Sequence, residues 1–112
     1  MACPSPVDSH EFIALVAPRP VFIGGGALLT DATYVPGDAW QDAQGMFMAA
    51  AAASPAWEVL GAKGLGTTTF PPMNTLLDSG DVAFRQHAYG HTPAPNWPYF
   101  IEFADKEFNK KR

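Results

Sequence analysis

His91 lies in the run AYGHTPAPNW, directly after a glycine and between a strand-like stretch and a helix start. Histidine changes charge near neutral pH, so an imidazole on such a hinge is either an ordinary loop residue or half of an acid-base device. The other half would be a carboxylate. Asp31, Asp38 and Asp42 all follow the preceding apolar run, VFI at Val21 to Ile23. Acid before histidine is the order in which a Ser-acid-His triad is completed. There the histidine takes the serine proton, while the acid fixes its tautomer and stabilises the imidazolium. Each aspartate also reads as a turn former or helix cap. His87 reads as structural because it lies within a strand, and His10 as a surface or packing residue of a first helical turn.

The nucleophile has no candidate. Ser5, Ser9, Ser54 and Ser79 all lie outside a G-x-S-x-G context. Cys3 is the sole cysteine, so neither an internal disulfide nor a cysteine-based metal site is expected. There is no HExxH, no Cys/His metal spacing and no phosphate-cradling glycine loop; GGGALLT lacks the G-x-G-x-x-G register. The expectation is chemistry without metal or cofactor.

The elements that would position His91 come from hydrophobic periodicity. A helix is expected near 10–16, with Asp8 and Glu11 at capping-box spacing and Phe12, Leu15 and Val16 on one face. RPVFI predicts a strand near 19–23, covered on both faces and ended by Gly24 to Gly26. A helix is expected near 41–53, followed by a second short helical turn to Leu60. DVAFRQHA predicts a strand near 82–88, with Val82, Phe84 and Ala88 opposite Arg85 and His87. A last helix near 97–108 would be capped by Asn96, with Trp97, Phe100, Ile101, Ala104 and Phe108 forming a core-facing stripe.

Alternating helices and strands indicate a parallel α/β sheet, whose ligands bind beyond the C-terminal strand ends. Two strands alone would leave both sheet edges open and too little sheet to cover the helices. The expectation is therefore the C-terminal part of one larger α/β domain. Self-association through exposed apolar surface stays open.

Composition limits the partners. Of 112 residues 47% are hydrophobic, enough for a packed core. Seven Lys and Arg against eleven Asp and Glu give a net charge of −4, with no basic stripe for nucleic acid. The longest apolar run, Met46 to Ala53, is too short to span a bilayer. No signal peptide is visible at the N-terminus.

The stretches DSHEFIALVAPRPVFIGGG, DAWQDAQGMFMAAAAASPAWEVLGAKGLGT and GDVAFRQHAYGHTPAPNWPYFIEFADK together resemble the C-terminal third of bacterial glucuronoyl esterases. These are carbohydrate esterases of α/β-hydrolase fold. The resemblance runs from about Asp8 to Lys106. It rests on the combination of APRP before a strand, D-x-W-x-D after it, ASPAWEVLG, and a late Gly-His followed by Asn-Trp. It implies serine catalysis, without a metal, on esters joining xylan glucuronic acid to lignin alcohols. By resemblance His91 is the catalytic histidine, Asp38 the triad acid, and Trp40 a tryptophan contacting the uronate. Arg19 matches a structural position. The serine and oxyanion hole would belong to segments this chain lacks, leaving it inactive alone. Similar enzymes are often secreted or periplasmic. Two alternatives stand: an acetylxylan or other carbohydrate esterase of the same fold, and a non-catalytic, self-associating small domain.

Overall fold

The structure, a computed structural model, describes residues 8–27 and 42–110. Three helices, α1 (Ser9–Ala14), α2 (Ala43–Val59) and α3 (Trp97–Phe108), surround three strands, β1 (Val21–Gly26), β2 (Leu76–Leu77) and β3 (Val82–His87). The strand order is β1-β3-β2. β1 and β3 run parallel, in register from Val21↔Val82 to Gly26↔His87. β2 is antiparallel to β3, pairing Leu76 with Arg85 and Leu77 with Phe84. The sheet is thus mixed, with a third strand beyond the two expected.

The strand covered on both faces is β3, not β1. Val82, Ala83, Phe84 and Arg85 are all buried, whereas Val21, Phe22 and Ile23 are half-buried. β3 is the middle strand: β1 and β2 flank its edges, α2 packs on Val82 and Phe84, and Asn96 and Tyr99 cover Arg85. The three glycines do not end β1 but form its second half, pairing with Arg85, Gln86 and His87. Glycine is required at Gly26, where a Cβ would stand 2.3 Å from the Gly90 carbonyl oxygen.

The core lies between β3 and α2. Phe47, Ala50, Ala53 and Trp57 form the buried face of α2, against Val82, Phe84 and Leu65. Phe47 meets Phe84 edge-on at 5.4 Å between centroids, and Phe70 closes the group. The small Ala50 and Ala53 let the helix approach the sheet closely. Trp57, completely buried, donates its indole N–H to the Arg19 carbonyl at 2.9 Å, which fixes the chain as it enters β1. α2 is one continuous helix to Val59, with no break before its second part. Pro55 removes one intrahelical bond, but the buried Ser54 and Trp57 on either side hold the turn in place. The Ser54 hydroxyl donates to the Ala50 carbonyl and accepts the Leu65 N–H, both at 2.9 Å, pinning the loop that follows.

At α1, Ile13, Val16 and Ala17 pack on the core while Phe12 and Leu15 are exposed. The capping box is not formed, since the Asp8 carboxylate accepts the adjacent Ser9 N–H at 2.7 Å.

α3 corrects a second facing. Phe103 and Glu107 are its buried residues, and Trp97, Phe100, Ile101 and Phe108 are exposed. Periodicity identifies an apolar stripe but not what covers it. The end of α3 is tied to the start of β3 by Lys110, which bonds both Asp81 and Glu107. Burial alone would raise the Asp81 carboxyl, but Lys110 and the Lys63 N–H hold it below its ordinary value. Burial would lower the Lys110 ammonium, and the two carboxylates raise it instead.

Candidate functional site

Parallel pairing brings the C-terminal ends of β1 and β3 together, and the chain leaves both strands at that end. Two backbone bonds extend the pairing: Ala27 N–H to His87 O at 2.8 Å and Gly90 N–H to Ala27 O at 2.9 Å. Gly90 has φ +83°, a left-handed conformation that a side chain would strain. His91 follows immediately. The Gly-His hinge of the sequence is thus a turn that needs glycine to present the next residue.

His91 is exposed and lines a cleft of about 340 Å³. The glycine backbone at Gly24 and Gly25 forms one wall, with Phe22, Trp97 and Phe100 beside it and Thr92 and Pro93 at the hinge. The glycines leave the backbone bare beside the imidazole. The exposed aromatics of α3 supply the apolar surface of the same cleft.

Asn96 shapes this wall in a way the sequence did not suggest. It precedes α3, but its side chain makes no capping bond. Its carboxamide accepts from Arg85 Nη1 at 2.8 Å and donates to the Gly25 carbonyl at 3.2 Å, joining β3, β1 and the start of α3. The space is tight, because a Cβ on Gly24 would stand 2.9 Å from Asn96 Nδ2. The Arg85 guanidinium is buried and stacks 3.9 Å from the Tyr99 ring centroid. A buried arginine needing an oxygen partner was the available signal for Asn96.

Among the acidic candidates, Asp42 is the N-cap of α2 and accepts the Gly45 N–H at 3.0 Å. Asp31, Asp38 and Trp40 lie outside the described residues. Ser54 is committed within the core, and Ser79 is exposed before β3 rather than on a strand-to-helix turn. Among the described residues no group of three or more His, Cys, Asp or Glu could hold a metal ion, and no helix is long and apolar enough to cross a membrane.

No family model matches the chain. The curated carbohydrate esterase MZ0003, from an unknown prokaryotic organism, is 38% identical over 101 residues, which are 89% of this chain and 21% of that protein. A CE15 glucuronoyl esterase from Teredinibacter turnerae T7901 superposes with TM-score 0.79 and 42% identity, over 92% of this chain and 23% of that one. A promiscuous CE15 esterase from a marine bacterial metagenome gives 0.77 and 35%, over 91% and 23%. A glucuronoyl esterase from Solibacter usitatus gives 0.74 and 30%, over 93% and 24%. The chain therefore spans about a fifth to a quarter of the length of these relatives. Over that span it resembles CE15 glucuronoyl esterases, and its sheet and helices are a portion of an α/β-hydrolase fold.

Proposed function

We propose that this chain supplies the histidine and the acid of a serine carboxylic-ester hydrolase acting on glucuronate esters of carbohydrate. The observation that carries the reading is the place of His91: on a glycine hinge after β3, beside the paired end of a parallel strand, lining a cleft. Its resemblance to CE15 enzymes supports the substrate class.

In this reading His91 accepts the proton of a serine hydroxyl as that oxygen attacks the ester carbonyl, and returns it to the leaving alcohol. Asp38 accepts the His91 Nδ1–H and stabilises the imidazolium. Trp40 offers its indole N–H, a donor only, to an oxygen of the uronate. The nucleophile and oxyanion donors come from a part of the enzyme outside these 112 residues, so the chain alone forms no acyl-enzyme. An extracytoplasmic location, where plant cell-wall esters are met, accords with this substrate.

A second reading, a broader carbohydrate esterase, is favoured by the promiscuous relative. The test is hydrolysis by the enzyme carrying this chain of a benzyl or methyl glucuronate beside an acetylated xylan. Preference for the glucuronate supports the proposal. Preference for acetyl esters transfers it to the second reading, and hydrolysis of neither overturns both.

A further inference from the structure

His87 ends β3, and its side chain is completely buried. The proposed chemistry leaves its imidazole without a task. Both ring nitrogens are nevertheless committed, and both to the loop that carries His91. The Tyr89 N–H donates to Nδ1 at 3.0 Å. A ring nitrogen that accepts bears no proton, so the neutral ring carries its hydrogen on Nε2. Nε2 lies 2.6 Å from the Thr92 carbonyl oxygen and donates to it. One ring thus joins the backbone two residues before His91 to the backbone one residue after it.

The ring has little room to move. A Cβ on Gly26 would stand 2.4 Å from His87 Cε1 and 2.5 Å from Nε2. The Tyr89 ring lies over the imidazole at 6.2 Å and 27°. The Gly90 N–H, bonded to Ala27, fixes the loop at a third point.

We propose that His87 is a positioning residue for His91. By holding the Tyr89 N–H and the Thr92 carbonyl it sets the direction in which the His91 imidazole leaves the hinge. The inference rests on His91 being the general base. It has a consequence that a purely structural histidine lacks. A misdirected His91 fails most where the leaving alcohol needs its proton back. Alkyl esters need that proton; nitrophenyl esters, whose leaving group is stable as an anion, need it less.

The test has two arms. Histidine-labelled full chain is examined by nitrogen NMR. The expected result is His87 protonated on Nε2 and bare on Nδ1, and the opposite tautomer overturns the clamp. In the enzyme carrying the chain, His87→Asn keeps an acceptor for Tyr89, His87→Gln keeps a donor for Thr92, and His87→Leu keeps neither. His87→Leu is expected to lower kcat on methyl glucuronate about a hundredfold, with KM near wild type, and on a nitrophenyl ester far less. His87→Asn and His87→Gln each restore part of the loss, and they carry this arm if the Leu variant does not fold. Equal losses on both esters, or none, overturn the positioning role. Should the wild-type enzyme hydrolyse no ester, the reading of His91 has failed. The clamp is then judged by NMR alone: displaced Gly90 and His91 signals in the variants, with α2 signals unmoved, support it, and unmoved Gly90 and His91 signals overturn it.

Discussion

Gly26 and His87 face one another across the parallel pair, so closely that a methyl group on Gly26 would stand 2.4 Å from the imidazole. The same methyl would press on the Gly90 carbonyl at 2.3 Å, the hinge before His91. Gly26→Ala is therefore expected to destabilise the fold by about 1–3 kcal/mol, the usual cost of overpacking. Urea denaturation measures it. A variant as stable as wild type would mean that the strand ends can separate.

His91 itself is exposed, so its removal should leave the fold intact. His91→Ala is expected to lower turnover by about 10³–10⁶, the range seen when a triad member is lost, with an unchanged melting temperature. Near-normal ester hydrolysis would remove His91 from the proposed mechanism.

The sequence made some of this legible and hid the rest for physical reasons. Gly90-His91 stood out because glycine before a polar residue at a strand end implies a presented side chain. His87 did not, since a histidine inside a strand looks the same whether or not it holds a loop. β2 has only Leu76 and Leu77, too few for any alternation to register. The sequence reading split α2 into a helix near 41–53 and a second short turn to Leu60, whereas the helix is continuous because the burial of Trp57 outweighs the one backbone bond lost at Pro55. Gly24 to Gly26 suggested a strand end, whereas a side-chain-free strand is what the close approach of Asn96 and His87 demands.

Asp42 and Asp38 separate by experiment. The Asp42 carboxylate caps α2, and its backbone has the left-handed φ of 53° that asparagine tolerates well. Asp42→Asn should change neither stability nor activity much, while Asp42→Ala should cost about 1 kcal/mol of stability. Asp38→Asn should lower turnover by about 10⁴ if Asp38 orients His91. The reverse pattern, activity lost in Asp42→Asn and kept in Asp38→Asn, would assign the acid to Asp42.

The Asp81–Lys110 pair gives a pH signature. The Asp81 carboxyl titrates below its ordinary value in the fold, so it binds fewer protons folded than unfolded. Its stabilisation is present above the ordinary carboxylate range and is lost as pH falls through the folded value. The Lys110 ammonium is raised, so its contribution holds below its ordinary range and is lost as pH rises through the folded value. Asp81→Asn keeps an oxygen for the Lys63 N–H but loses the charge. It is expected to cost about 1 kcal/mol at pH 7, screening by solvent at Lys110 included, and progressively less below about pH 4. A difference that stays constant into acid would show that the pair's charge contributes nothing.

The last prediction concerns the outward faces of β1 and α3. β1 is the outside strand of the sheet, with Phe22 half-buried beside Phe100 and Phe103 at 5.7 and 5.8 Å. Along α3, Ile101 is 53% and Phe108 87% exposed. A cavity of about 530 Å³ runs between β1 and α3, lined by Pro20, Phe22, Phe100, Phe103, Ala104 and Phe108, with Glu107 and Lys110 also on its wall. Contiguous apolar surface of this kind is uncommon on monomers and tends to be covered. Helix propensity does not require it, because the Phe and Ile residues exposed along α3 could be Lys or Glu without loss of the turn. The chain expressed by itself is therefore expected to self-associate or bind a hydrophobic-surface dye. The double variant Ile101→Lys, Phe108→Lys should reduce both while leaving Phe103 and the core untouched. Sedimentation velocity and dye fluorescence, each over a range of concentrations, decide it. A soluble wild-type monomer with a sharp melt and no dye signal would show that these aromatics tolerate water, and that this face needs no partner.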